Sequence, residues 1–356
     1  MSEDTVFSPF KIKHHTIRNR LAVAPMTRMS SPGDSIPRQD VLDFLVRRAE
    51  NGAGIVYTEG IVTDYESSQG YPGQARILTQ RQIDAWTPVV GKIQDNGALA
   101  ILQAFHCGRV ASREVNPAGR TIAPSPIAPK QDNPLTNEPY PVPDEMSRFD
   151  IEHVINGFVE TAKGAMAAGF DGFELHGAHG YLINQFLSSY SNKRADDYGG
   201  PLENRFRFVR ELIRVVREVI PDDKLLTFRI SDWGIVDMEV SLFQTKEEWQ
   251  QLINLLSFEA IDILSLSTYD FRDKAFGTDQ TMAQLTREVT DLPLMLCGKI
   301  YDYDSAAEAL QDSDIAVSAK SFLLNPNWAE DVRARKELPL YKSADALIAY
   351  GDEALP

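Results

Sequence analysis

Cysteine is almost missing from this chain of 356 residues: Cys107 and Cys297 are the only two. That excludes a disulfide framework and a cysteine cluster for zinc or iron–sulfur, and makes a reducing, cytoplasmic setting the expectation. No apolar run reaches the ~20 residues of a membrane-spanning helix. The acidic start Met1-Ser2-Glu3-Asp4 has no signal-peptide core. Positive charge is short as well. Lys and Arg number 36 against 51 Asp and Glu, a formal net charge of -15 at pH 7, which argues against nucleic acid or an anionic membrane as partner. What is left is 43% hydrophobic and 24% charged, an ordinary soluble globular composition. The expected partner is a small-molecule substrate; a homo-oligomer is allowed but not readable.

Short apolar runs rich in β-branched residues alternate with helical patterns. Candidate strands are Leu21–Ala24, Ile55–Thr58, Ala98–Leu102, the run ending at Leu175, Leu225–Ile230, Ile261–Leu264, Pro293–Leu296 and Ile315–Val317. Asp40, Thr79, Asp150 and Thr245 are candidate helix caps, the last within a capping box, and Pro201 suits a first helical turn. About eight β units with helices between them suggest a closed (β/α)₈ TIM barrel. An open doubly wound sheet is the alternative, but no Gly-x-Gly-x-x-Gly follows the first strand. Although the length suggests about two domains, barrels of this kind run long as one. We therefore expect one domain over 1–356. The Pro-rich segment 109–148 after strand 3 is then a capping loop over the barrel mouth.

Histidine is scarce, with six in the chain, yet two fall within His176-Gly177-Ala178-His179-Gly180-Tyr181. Neutral imidazoles each donate one hydrogen bond, so a pair can grip one carbonyl oxygen, and a phenol beside them can deliver a proton. Reduction of a polarised C=C bond needs these groups once a hydride is supplied. A metal pair is the competing reading, but the run lacks the Glu of His-Glu-x-x-His. Packing or satisfied loop residues are the bland one.

Barrel active sites gather at the C-terminal strand ends. There the sequence offers Pro25-Met26-Thr27-Arg28, Glu59-Gly60, Gln103 with His106, the His176 cluster, Arg229, Ser265 and Ser267, Gly298-Lys299 and Ala319-Lys320. The loops after strands 7 and 8 commonly bind phosphate in this fold, and Lys299 and Lys320 bring positive charge to them. Solvated surface lysines are the equally balanced alternative.

The chain resembles the old yellow enzyme family of FMN-dependent ene-reductases over nearly its whole length. The likeness is carried by Ala24-Pro25-Met26-Thr27-Arg28, by Gln103 through Arg109, and above all by the run from His176 to Ser188 and on through Asn192–Gly200 to Arg205. The resemblance implies non-covalent FMN at the barrel mouth, reduced by NADH or NADPH, with no metal. Pro25 and Met26 would line the flavin ring, Thr27 would bond its O4, and Gly60 would lie at its edge. Gln103 and Arg229 would meet its pyrimidine side. His176 and His179 would bind the substrate oxygen, with Tyr181 as proton donor. Gly298, Lys299, Ala319 and Lys320 would form the phosphate cradle. Relatives usually carry Gly-Gly and Gly-Arg in that cradle, where this chain has Gly298-Lys299 and Ala319-Lys320. Lys lacks Arg's planar fork. Other functions compatible with the residues are an NAD(P)H oxidase, a reductase of quinones or nitro compounds, a flavin binder without turnover, a Schiff-base aldolase on Lys299 or Lys320, and a metal hydrolase on His106, His176 and His179.

Overall fold

The computed structural model describes residues 4–111, 114–116 and 119–341. Eight parallel strands close into a barrel: β1 (Leu21–Val23), β2 (Ile55–Val62), β3 (Leu99–Phe105), β4 (Gly172–His179), β5 (Leu225–Gly234), β6 (Ile263–Ser267), β7 (Leu294–Cys297) and β8 (Ile315–Ser318). Each strand pairs with the next in sequence, and β8 returns to β1. The main helices outside them are α1 (Gln39–Glu50), α2 (Gln80–Asp95), α3 (Arg148–Ala167), α4 (Leu182–Leu187), α5 (Leu202–Arg205), α6 (Arg207–Val219), α7 (Lys246–Ser257), α8 (Met282–Arg287) and α9 (Tyr303–Ala309); α10 (Lys320–Leu324) and α11 (Trp328–Arg333) end the described chain. The barrel expectation holds.

Two apolar layers build the barrel. Outward strand residues such as Val56, Leu102, Phe173 and Leu226 pack with Trp86, Phe158, Leu212 and Leu252 of the helices. Inside the lower barrel, Ala22, Ile55, Ile101, Leu225, Ile263, Met295 and Ile315 fill the bore. An antiparallel hairpin, Phe10–Ile12 with His15–Ile17, adds Ile12 and Ile17 to this interior cluster at the N-terminal end.

Several sequence expectations needed correction. Strands β2 to β5 run three to four residues past the stretches the sequence marks; on β3 and β4 polar side chains occupy paired strand positions, so Gln103, His176 and His179 are strand residues, not loop residues. Asp40 and Asp150 lie within first turns rather than at N-caps. Asp40 is bonded to Arg38, and Ser147 caps α3 in a capping box with Asp150. Pro201 precedes only the short α5, and Phe206 separates it from α6. Thr79 and Thr245 cap as expected, through Gln82 and Glu248, but the expected capping box at Thr245 does not close, because the Glu248 carboxylate accepts from the Gln244 amide instead. The described part of the 109–148 segment is not wholly irregular: Ile122–Ala123 pairs with Asp144–Glu145, and Asp132–Asn133 with Glu138–Pro139. Arg109 ties it to Asp237 at 3.1 Å, in the loop after β5.

Candidate active site

β4 delivers the histidines. His176 lies opposite Arg229 of β5, and the register slips between Gly177 and His179. Glycine is required at 177, since a Cβ there would sit 2.5 Å from the Phe228 ring and 2.9 Å from the Arg229 carbonyl. The slip ends with His179 in the left-handed region (φ 60), a cost that its surroundings must offset. Its amide donates to Ser231 Oγ at 2.7 Å. Its ring lies 4.5 Å from that of Trp233, and Nε2 is 2.8 Å from Ser267 Oγ.

The His176 ring is 5.1 Å from the His179 ring. Its buried Nδ1 has no hydrogen-bond partner among the described residues. Burial holds both imidazoles well below the usual histidine range, His176 further by His179 and Arg229, and His179 by Arg229. Both are therefore neutral near pH 7, the form able to offer a donor without carrying charge.

Tyr181 follows directly at the start of α4, buried against Phe105 edge-on at 4.5 Å and His176 at 5.3 Å. Its hydroxyl is 2.7 Å from that of Tyr71. Burial, then the neighbouring Tyr71, pushes the phenol well above 10, so it holds its proton. Tyr71, on the loop after β2, went unnoticed in the sequence, and no motif marks it.

Arg229 reaches Ser265 Oγ at 3.3 Å and Ser267 Oγ at 3.1 Å, while its buried Nε has no partner among the described residues. Gln103 donates through Nε2 to Glu174 at 2.8 Å. Across the mouth, Pro25, Met26 and Thr27 leave β1 half-buried. The Arg28 amide donates to Glu59 Oε2 at 3.0 Å, which pins this segment to β2. Gly60 presses on Phe105, which would lie 3.1 Å from a Cβ. His106 stands apart from the other two histidines in its bonding: Nε2 is 3.2 Å from Ser67 Oγ and 3.6 Å from Asp64. Burial brings it down to about 4. Among the described residues, no group of three or more His, Cys, Asp or Glu is placed to hold a metal ion.

A cavity of about 1100 Å³, counting its open side, joins His179 and Arg229 to the ends of β7 and β8. Pro25, Gly298, Lys299, Ala319 and Lys320 line it, with Trp233, Tyr269 and Tyr341, which sequence reasoning missed. Lys299 is not a free cation: Nζ is 3.2 Å from Asp270 and 5.2 Å above the Tyr269 ring. Lys320 is exposed as the first residue of α10, the kind of short helix after strand 8 at which barrels hold phosphate. An elongated ligand with a polar ring at one end and an anion at the other suits this donor set. Arg229 Nε and His176 Nδ1 are buried donors or acceptors awaiting a partner, and the cations stand at the far side.

The sequence model of the NADH:flavin oxidoreductase / NADH oxidase family matches residues 5–340. The NADH oxidase of Thermoanaerobacter brockii is 28% identical over 348 residues, which cover 95% of this chain and 52% of that protein. The chain thus spans about half the length of that relative, and its alignment with the putative 12-oxophytodienoate reductase 4 of Oryza sativa covers 57% of the rice protein. 12-Oxophytodienoate reductase 2 of Arabidopsis thaliana is 29% identical, over 98% of this chain and 94% of its own. The structure of the old yellow enzyme homologue from Zymomonas mobilis superposes with a TM-score of 0.86 at 27% identity, covering 98% of this chain and 99% of that one. Fold and sequence together place the chain in a family of flavin-dependent oxidoreductase barrels. The chain belongs to the NADH:flavin oxidoreductase / NADH oxidase family, among the old yellow enzyme homologues, a family that uses FMN as cofactor. No described helix is long and apolar enough to cross a membrane.

Proposed function

We propose that this chain reduces the activated C=C bond of α,β-unsaturated carbonyl compounds with electrons from NAD(P)H. FMN, when bound, passes hydride between the nicotinamide and the acceptor. The chain's own residues hold that cofactor and prepare the acceptor. Pro25, Met26, Thr27 and Gly60 line one side of the ring site. Gln103 and Arg229 serve its pyrimidine side, and Gly298, Lys299, Ala319 and Lys320 its phosphate. His176 and His179 donate to the substrate carbonyl oxygen, where negative charge develops as hydride reaches the β-carbon. Preorganised donors of this kind are each worth roughly 100- to 1000-fold in rate. Tyr181 delivers the proton to the α-carbon. The observation that carries the reading is the neutral, buried imidazole pair with a protonated phenol beside it.

The test is spectroscopic. The purified protein should be yellow with releasable FMN, bleach under argon when NADH or NADPH is added, and regain colour with 2-cyclohexenone. A colourless protein that takes up no added FMN overturns the whole reading. Bleaching that only oxygen reverses removes the ene-reductase part.

A further inference from the structure

Glu174 lies two residues before His176 on β4, inside the barrel, fully buried. A carboxylate stranded there would cost several kcal/mol, so its partners matter. Gln103 Nε2 donates to Oε1 at 2.8 Å from β3, and Thr227 Oγ1 donates to Oε2 at 3.0 Å from β5. Strand register makes both contacts: Glu174 lies opposite Gln103 on one side and Thr227 on the other. One step higher in the same register sit His176 and Arg229. Arg229 is the cation whose field reaches Glu174, and Tyr57 faces it from β2. Both oxygens accept and a guanidinium lies in the next layer, surroundings that favour the charged form of the carboxyl. Burial pushes its pKa up, while Arg229, Gln103 and Thr227 pull it back.

We propose that Glu174 is a positioning residue that sets the reduction potential of the bound flavin, acting through Gln103 and Arg229. This builds on the reading that those two residues serve the pyrimidine side. The first route is geometric. By taking the Gln103 NH₂, Glu174 turns the amide so that Oε1 is left to accept, which fixes the hydrogen-bond polarity shown to the ring. The second is electrostatic. A negative charge below Arg229 offsets part of the positive field that favours an electron-rich ring, so Glu174 keeps the potential lower than Arg229 alone would set it.

Glu174→Gln keeps the shape and removes the charge. It also brings an NH₂ that competes with the Gln103 amide. The holoprotein potential, measured against a reference dye, should rise by about 30 mV or more, which is a tenfold change in a two-electron equilibrium. Thermodynamic linkage requires the ratio of dissociation constants for oxidised over reduced FMN to rise by the same factor, and apoprotein titration reads it independently. Glu174→Asp keeps the charge and should stay near the parent, whereas a purely structural role would move both variants together. Should the Gln variant fail to fold, Thr227→Val carries the test. With one donor lost, the carboxyl takes a proton more readily, so the excess of the potential over the parent's should grow as pH falls. A parent that takes up no FMN overturns the proposed function and this inference with it. Yellow variants whose potentials match the parent's throughout overturn this inference alone.

Discussion

Replacing Glu59 by Gln should make the protein more heat-stable in alkali than in acid, relative to the parent. Glu59 is fully buried beside the Pro25–Arg28 segment, and Oε1 has no partner among the described residues. Burial pushes its carboxyl from 4.5 up to about 7, against the pull of the Arg28 amide and guanidinium. Between pH 4.5 and 7 the unfolded chain has therefore lost this proton while the folded chain still binds it, so the contribution to stability falls as pH rises. At ~1.4 kcal/mol per pH unit, the span from 4.5 to about 7 amounts to about 3 kcal/mol lost by pH 8. Gln does not titrate. Unfolding entropy of ~2.1 cal/mol/K per residue makes that about 4 °C in Tm for a chain this long. His106 has the opposite sign, since its pKa is lowered to about 4 and its cost appears as pH falls below 6.5. It is present in both proteins and cancels in the difference. Melting both proteins side by side from pH 4.5 to 8.5 should show their Tm difference drifting by about 4 °C in favour of the variant as pH rises. A difference that stays constant with pH would refute the reasoning.

Two further sets of substitutions probe the mouth. His176→Ala or His179→Ala should slow enone reduction by roughly 100-fold or more and weaken binding of phenols, while flavin reduction by NAD(P)H changes far less; equal losses in both half-reactions by stopped flow would assign these residues to holding the flavin. Lys320→Ala should loosen FMN about ten- to a hundredfold, the worth of one charge-assisted bond, with Lys320→Arg binding at least as well as the parent; titrating apoprotein with FMN and with riboflavin separates phosphate from ring, and unchanged FMN binding would leave the phosphate to Lys299 or to backbone near Gly298.

The barrel was legible because hydrophobic runs and caps recur around it, and the histidine pair because rare residues crowd into six positions. Strand ends were not. Past Leu175 the apolar pattern breaks, yet the strand continues to His179, because a polar side chain aimed into the bore reads in sequence like a loop. The same blindness hid Glu174, which sat in plain view inside a strand; only register shows that Gln103 and Thr227 flank it. Tyr71 and Trp233 reach the site from loop and strand end with no fixed spacing to any motif, so nothing local could announce them. Lys299 was expected as a cation for phosphate, and its pairing with Asp270 depends on a turn that spacing does not specify.

The hairpin of residues 10–17, with Ile12 and Ile17 packed into the bore, works like a stopper in a flask. Among the described residues the open approach to the bore is the neck, past Trp233 and the ends of β7 and β8. For the two-substrate cycle proposed above, donor and acceptor would share that doorway, and the second visitor would wait until the first had left.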